Sequence, residues 1–297
     1  MSTRNVDHLV RALGADSRIS KLEVSKICQK RDRNAERTRH RDLSDNSYPH
    51  VFLDATYCKA RVGGKVVSQA VVVAFGVRAD GHREILGVDV GNSETEAFWT
   101  QFLTELTDRG LHGVHLVISD AHKGLKTAIQ VTLQGSTWQR CRVHFLRNAL
   151  STLPQGRQEM IASLIRTIFS QPDAEYVHHQ HGEVVRMLER IHPKTADLLA
   201  DAKEDLLAFT SFPRAHWRQI WSTNPLERLN REIKRRTDVV GVFPNPEALL
   251  RLTTAVLMEQ HDEWAASNRR YLSEGSLKAL TEPEEIDQGV IRQLDIA

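Results

Sequence analysis

The chain has 297 residues, 40% apolar and 26% charged, the make-up of a globular protein long enough for one large domain or two smaller ones. Lys and Arg number 40 against 38 Asp and Glu, a net charge of +2, so bulk charge makes no case for nucleic acid and any such case must be local. No run of 18 apolar residues predicts a membrane span, MSTRNVDHLVRALG has no signal-peptide core, and Cys28, Cys58 and Cys141 lie far apart without a CxxC, as reduced cytoplasmic thiols do.

Residues 4–13 are helical in pattern, with Val6, Leu9, Val10 and Leu13 on one face. Gly14-Ala15-Asp16 breaks the pattern, and Ser20-x-x-Glu23 opens a second helix with Leu22, Val24 and Ile27. Helix, short turn, helix is the outline of a helix-turn-helix. The pair runs into KRDRNAERTRHR, where basic residues outnumber acidic ones. A DNA-binding pair and a solvated pair leading to a charged linker both fit. Residues 1–45 form this first region.

From Tyr48 the pattern becomes β-rich with period two. VFLDATYCKARV is a strand and Gly63-Gly64 a hairpin signal. KVVSQAVVVAFGV is a long apolar strand with room for a bend, Asp80-Gly81 a second turn, and REILGVDVG a third strand. Ser93-x-x-Glu96 reads as a capping box for the helix EAFWTQFLTELTDR, which Gly110 closes. HLVISD is a short buried strand, KGLKTAIQVTL a helix and STWQRCRV a last strand. The helix after strand three makes a crossover, so strand four should run parallel to strand one. Residues 144–220 read as nearly all helix. A helix begins near Asn224, another spans NPEALLRLTTAVLMEQHDEWAASN, and the tail after Tyr271 reads as poorly ordered.

Three acids stand out. Asp54 lies inside the apolar strand VFLDATY, an expensive place for a carboxylate unless it is paired or binds a cation. Asp120 ends the strand HLVISD, where side chains face the crevice of an α/β sheet, although it could simply cap the next helix. Glu227 stands in WSTNPLERLNREIKRR, where Asn224-x-x-Glu227 with Pro225 forms a candidate capping box. Two convergent carboxylates repel each other. A divalent cation such as Mg²⁺ removes the problem, and a third acid would complete a two-metal site for phosphodiester chemistry. On the Glu227 helix, Leu226, Leu229 and Ile233 form the core stripe. Arg231 and Lys234 follow Glu227 at i+4 and i+7, placed to meet a phosphate backbone.

LDATY, VISDAHKGL, CRVHFLRN and NPLERLNREIKRR, in that order, resemble the mutator-type insertion-sequence transposases of bacteria. The resemblance covers about residues 4–270. It implies an α/β fold of RNase H-like type: a mixed sheet with flanking helices, interrupted by an all-helical insertion and preceded by a helix-turn-helix-like segment. It implies that Asp54, Asp120 and Glu227 are a DDE triad holding two Mg²⁺ ions, with Mn²⁺ as a substitute. The parts would be 46–150 and 221–270 for the core, 151–220 for the insertion and 271–297 for the tail. Partners would be double-stranded DNA, both terminal inverted repeats and target, and further copies of the chain, at the bacterial nucleoid.

Cys141 and His144 fall in a Cys-x-x-His element similar to the family's signature. Zinc would need a partner pair that is absent nearby, unless His178, His179 and His181 supply it, so support of the active site or DNA contact is the expectation. Trp221 could stack on an unpaired base or sit in the core. Arg142 and Arg235 complete the basic set expected on DNA, with Arg231 and Lys234. The family carries a longer N-terminal region, so this chain reads as a shortened form. The alternatives are a non-catalytic DNA-binding repressor and a structure-directed nuclease of the same fold.

Overall fold

A computed structural model describes residues 36–280. The helix pair expected at 4–27, Cys28 and the tail beyond residue 280 lie outside the described residues.

Three strands form an antiparallel meander: β1 (His50–Val62), β2 (Lys65–Val77) and β3 (Arg83–Gly91). Gly63 and Gly64 both adopt positive φ at the first hairpin, the conformation a two-residue turn demands and only glycine takes cheaply. The bend in β2 is a register shift between Ala74 and Phe75 against β3. Helix α1 (Glu96–Asp108) carries the chain across to β4 (Leu116–Ser119), which pairs parallel with β1. After α2 (Lys123–Thr132), β5 (Thr137–Arg140) adds parallel to β4. The order is β3-β2-β1-β4-β5.

Alternation along β1 divides the interior. Val51 and Leu53 face a core built with Trp99, Phe102, Leu103 and Leu106 of α1 and with Leu125 and Ile129 of α2. Phe52, Cys58 and Ala60 face a larger core on the other side, which continues without a break into the helical segment. That segment comprises α3 (Arg142–Ser151), α4 (Gln155–Arg166), α5 (Ala174–Ile191), α6 (Pro193–Asp201), α7 (Lys203–Leu207) and α8 (Trp217–Ile220). On the same face lie α9 (Asn224–Val240) and α10 (Pro246–Ala266).

Three expectations need correction, and one strand was not anticipated. The cap of α1 is Thr95, whose hydroxyl accepts from Phe98 N at 3.2 Å, rather than Ser93. Cys-Arg-Val at 141–143 leaves the sheet: β5 stops at Arg140 and Arg142 already begins α3, since Cys141 and Phe145 are needed in the core. A two-residue strand, β6 (Val242–Phe243), pairs parallel with the far end of β1, a length too short to leave a periodic signal. The segment after Tyr271 is ordered as far as it is described. Helix α11 (Glu274–Lys278) follows it, and Leu272 and Leu277 are buried.

This segment is docked through Gly81. Tyr271 N donates to Gly81 O at 2.7 Å. Gly81 has φ +88°, and a Cβ there would stand 2.0 Å from the Leu272 carbonyl oxygen. Gly81→Ala should therefore cost roughly 1–3 kcal/mol in urea unfolding, with faster protease cutting between Ser267 and Tyr271. Unchanged unfolding and cutting would show that this contact contributes nothing.

Candidate active site

The parallel pairing of β1 with β4 matches Phe52 to Ile118. Asp54 lies two residues beyond Phe52 in β1, and Asp120 two beyond Ile118, just past the end of β4, near enough for the charge of Asp120 to act on Asp54. Both share the parity of Phe52 and Ile118, whose side chains lie in the core that includes Leu226, Leu229 and Ile233 of α9. The face that carries the two aspartates is thus the face α9 covers. Asn230 of α9 donates its side-chain N–H to Asp54 Oδ2 at 2.8 Å, and Ala55 N donates to Oδ1 at 3.0 Å. Glu227 sits three residues before Asn230, on the same side of the helix.

The capping box expected at Glu227 does not form. The cap position of α9 is Thr223, without a side-chain cap bond, and Glu227 N bonds the Thr223 carbonyl at 3.1 Å as an ordinary helical residue. The Thr223 side chain is engaged elsewhere, with Cys141 Sγ at 3.4 Å and His144 Nδ1 at 3.5 Å. That leaves the Glu227 carboxylate turned outward, its Oε1 lying 3.4 Å from Arg147 Nη2 and 3.8 Å from His144 Nε2.

Backbone bonds stitch these segments together. Cys141 N donates to Ser119 O at 2.7 Å, and Arg142 N to Trp221 O at 3.0 Å. Stretches distant in sequence, around 54, 120, 141–147 and 221–230, so meet near the C-terminal end of β4, beside the interior of β1.

The electrostatics follow from burial and from like charge. Burial pushes the Asp54 carboxyl up to about 6; the His144 charge opposes this, and Asp120 and Glu227 add to it. His144 is raised to about 9, first by its hydrogen bond with Cys141, and also by Asp120 and Asp54. Cys141 is drawn below the usual thiol range: burial opposes this, but bonds from His144 and Thr223 outweigh it. His144 thus lies between the Cys141 and Thr223 side chains and the Glu227 carboxylate, in a setting that favours its charged form.

The donor chemistry fits a hard divalent cation. Asp54 comes from within β1, Asp120 from just past the end of β4 and Glu227 from α9, and oxygen-only donors are what Mg²⁺ takes. Among the described residues, however, no three His, Cys, Asp or Glu side chains stand close enough, as placed, to hold an ion between them. Glu227 accounts for part of this, being drawn toward Arg147 and His144.

The other expected residues fall less simply. Trp221 is buried, with the Arg142 guanidinium 3.7 Å over its ring and Phe169 and Phe209 edge-on at 6.0 and 5.8 Å. It is a core tryptophan, and its own face does not await a base. Arg235 is bound to Glu232 and Lys234 to the Tyr57 carbonyl, whereas Arg231 is exposed. His178, His179 and His181 do not cluster: they bond Thr210, Glu183 and the Leu199 carbonyl respectively. Asn230 and Arg147 were not anticipated. The available signal was spacing, since each lies three residues beyond a singled-out residue, Glu227 and His144.

Comparison with known proteins gives the family. A family described as "Transposase, Mutator family" matches residues 1–267. The chain is 46% identical over 272 residues to the transposase for insertion sequence element IS1081 of Mycobacterium tuberculosis, covering 92% of this chain and 65% of that protein. It is 41% identical to the transposase for IS406 of Burkholderia multivorans, covering 89% of this chain and 68% of that protein. Identity to the transposase for IS256 in transposon Tn4001 of Staphylococcus aureus is 37%, over 92% of this chain and 70% of that one. The chain thus spans about 65% of the length of the IS1081 protein. With the family matched over nearly the whole sequence and relatives well above 30% identity, this chain belongs to the mutator family of transposases.

Proposed function

We propose that the chain is an insertion-sequence transposase that cleaves a DNA strand at an element end and joins the freed 3′-OH to a second phosphodiester. The observation that carries this reading is that Asp54 of β1, bonded by Asn230 of the helix that bears Glu227, stands close enough to Asp120 and Glu227 to feel both charges. An RNase H-like core fits the meander followed by two parallel strands. In this reading the core comprises 46–150 and 221–270, interrupted by a helical insertion at 151–220.

Asp54, Asp120 and Glu227 would hold two Mg²⁺ ions, or Mn²⁺ in their place. When bound, such a pair activates an attacking hydroxyl and neutralises the leaving oxygen. The protein's own groups do the rest. Asp54 is held in orientation by Ala55 N and Asn230. His144 and Arg147 hold Glu227 by charge and offset the negative potential of the three acids. The Cys141–Thr223 bonds fix the start of α9 to the start of α3. Double-stranded DNA would lie along α9, where Arg231 and Lys234 meet phosphates. Further copies of the chain would pair the two ends.

The test is incubation with candidate element ends, with and without Mg²⁺, followed by mapping of nicks and of joined products. Metal-dependent nicks at the element boundary with strand joining are expected. Nicks without joining would make the chain a nuclease, and binding without nicks a repressor.

The phosphate contacts have their own signature. Arg231→Ala should lower affinity nearly equally for all sequences and reduce the slope of log Kd against log salt by about one. Its melting temperature should stay put, because an exposed charge contributes little. Lys234→Ala should reduce the slope similarly but also cost roughly 0.5–1.5 kcal/mol, because the Tyr57 carbonyl loses its donor. An unaltered slope in both would remove DNA from this helix.

A further inference from the structure

The cleft beside Trp221 plays no part in the chemistry above. Its volume of about 660 Å³ falls within the roughly 300–1,000 Å³ of small-ligand pockets. Its floor is apolar: Leu146 of α3, Ile165 of α4, Phe169 and Trp221. Its rim is cationic, formed by Arg142, Arg166, Arg214 and Arg218.

These arginines are poorly neutralised. Among the described residues the one ion pair they make is Arg166 with Glu159, at 3.1 Å. Arg214 bonds the carbonyls of Pro172 and Gln171 and lies 4.4 Å over the Trp217 ring, with no carboxylate partner among the described residues. Arg142 lies flat enough on Trp221 to bring its guanidinium carbon within 3.7 Å of the ring centroid, with Phe169 at 5.2 Å. Burial draws Arg142 down to about 10, and the Arg218 charge adds to this. An anion entering the cleft would offset the Arg218 repulsion.

An apolar floor with a cationic rim selects a ligand with a flat apolar body and negative charge at its edge. A bare phosphate would leave the floor unused, and a duplex is too wide to enter. A guanidinium backed by an aromatic ring is a rigid planar platform on which nucleobases stack. The cleft is joined to the candidate site through the backbone: Arg142 lies two residues before His144 on α3, and its N–H bonds the carbonyl of Trp221, six residues before Glu227.

We propose that this cleft receives one unpaired nucleotide of the DNA strand engaged at the acids. Its base stacks on the outer face of the Arg142 guanidinium, and its flanking phosphates lie against Arg166, Arg214 and Arg218. The ligand class rests on the DNA reading above; the cleft and its charge do not. Trp221 then acts by holding Arg142 flat, not by stacking on the base itself.

The experiment measures binding of the full chain in EDTA to a duplex with a short single-stranded overhang. Each overhang nucleotide is replaced in turn by an abasic one, which deletes the base and keeps the phosphates. At one position the abasic change should weaken binding by roughly fivefold or more. In Arg142→Lys, which keeps the charge and loses the plane, that penalty should vanish while blunt-duplex affinity stays within about twofold. Arg218→Ala, at an exposed position, should weaken overhang binding and lower its salt slope by about one. Equal affinity for intact and abasic overhangs at every position overturns the proposal, as does an abasic penalty that persists in Arg142→Lys. Nicking of the same DNA in Mg²⁺ is scored separately. Nicking with no abasic penalty rejects the cleft alone, and a penalty without nicking rejects the cleavage reading alone.

Discussion

Asp54→Asn should reduce metal-dependent strand cleavage by roughly 10³-fold or more while leaving DNA affinity nearly unchanged. Asp120→Asn and Glu227→Gln should do the same. The three changes preserve size and remove only charge. A residue that held its helix or strand in place would instead lose binding and stability together. For Asp54 the expectation includes a further sign. Its carboxyl is buried and faces the like charges of Asp120 and Glu227. In EDTA, Asp54→Asn should therefore melt at a higher temperature than the parent chain, because a charge that the fold disfavours is gone. Activity is read by mapping nicks on labelled DNA, and stability by thermal unfolding of the same preparations. Full cleavage by any one of the three variants would remove that residue from the site.

Leu229→Ala should show the opposite pattern, costing roughly 2–5 kcal/mol in urea unfolding. Leu229 is 2% exposed, between Leu226 and Ile233 at 0%, and all three belong to the core against the sheet. Deleting its side-chain carbons leaves a void that a helix clamped at both neighbours cannot close. Below its lowered melting temperature the variant should keep the parent's salt dependence of DNA binding, because Arg231 and Lys234 lie on the other side of α9. A change below about 1 kcal/mol would mean that α9 is loosely seated. Loose seating would undermine its ability to hold Glu227 and Asn230 over the aspartates.

The fold was legible where periodicity is long. The strands that became β2 and β3 carry thirteen and nine residues of apolar character closed by glycine turns, and both bounds could be read directly. Asp54 was legible because a carboxylate in such a strand has few structural excuses. Its neighbour Asp120 was legible through the crossover rule, which places β4 beside β1. The failures were local competitions. Asn224 and Ser93 looked like caps by residue type, yet Thr223 and Thr95 took those positions, and Thr223 spent its hydroxyl on Cys141 and His144. Such a choice depends on which groups come close in three dimensions. The same holds for Asn230, Arg147 and the cleft by Trp221, each assembled from stretches that only the fold brings together. The order after Tyr271 was hidden because Gly81, which holds Tyr271 and Leu272, lies some 190 residues earlier.

The most direct test of one shared metal site is local cutting of the chain by bound Fe²⁺. Fe²⁺ replaces Mg²⁺ at oxygen-rich sites, and with ascorbate and peroxide it generates radicals that cut the nearest backbone. Fragment mapping should show cuts clustered at three places far apart in sequence, near residues 54, 120 and 227, all suppressed by excess Mg²⁺ and all lost together in Asp54→Asn. Cuts at only one of the three places, or cuts that survive in Asp54→Asn, would contradict a site shared by Asp54, Asp120 and Glu227.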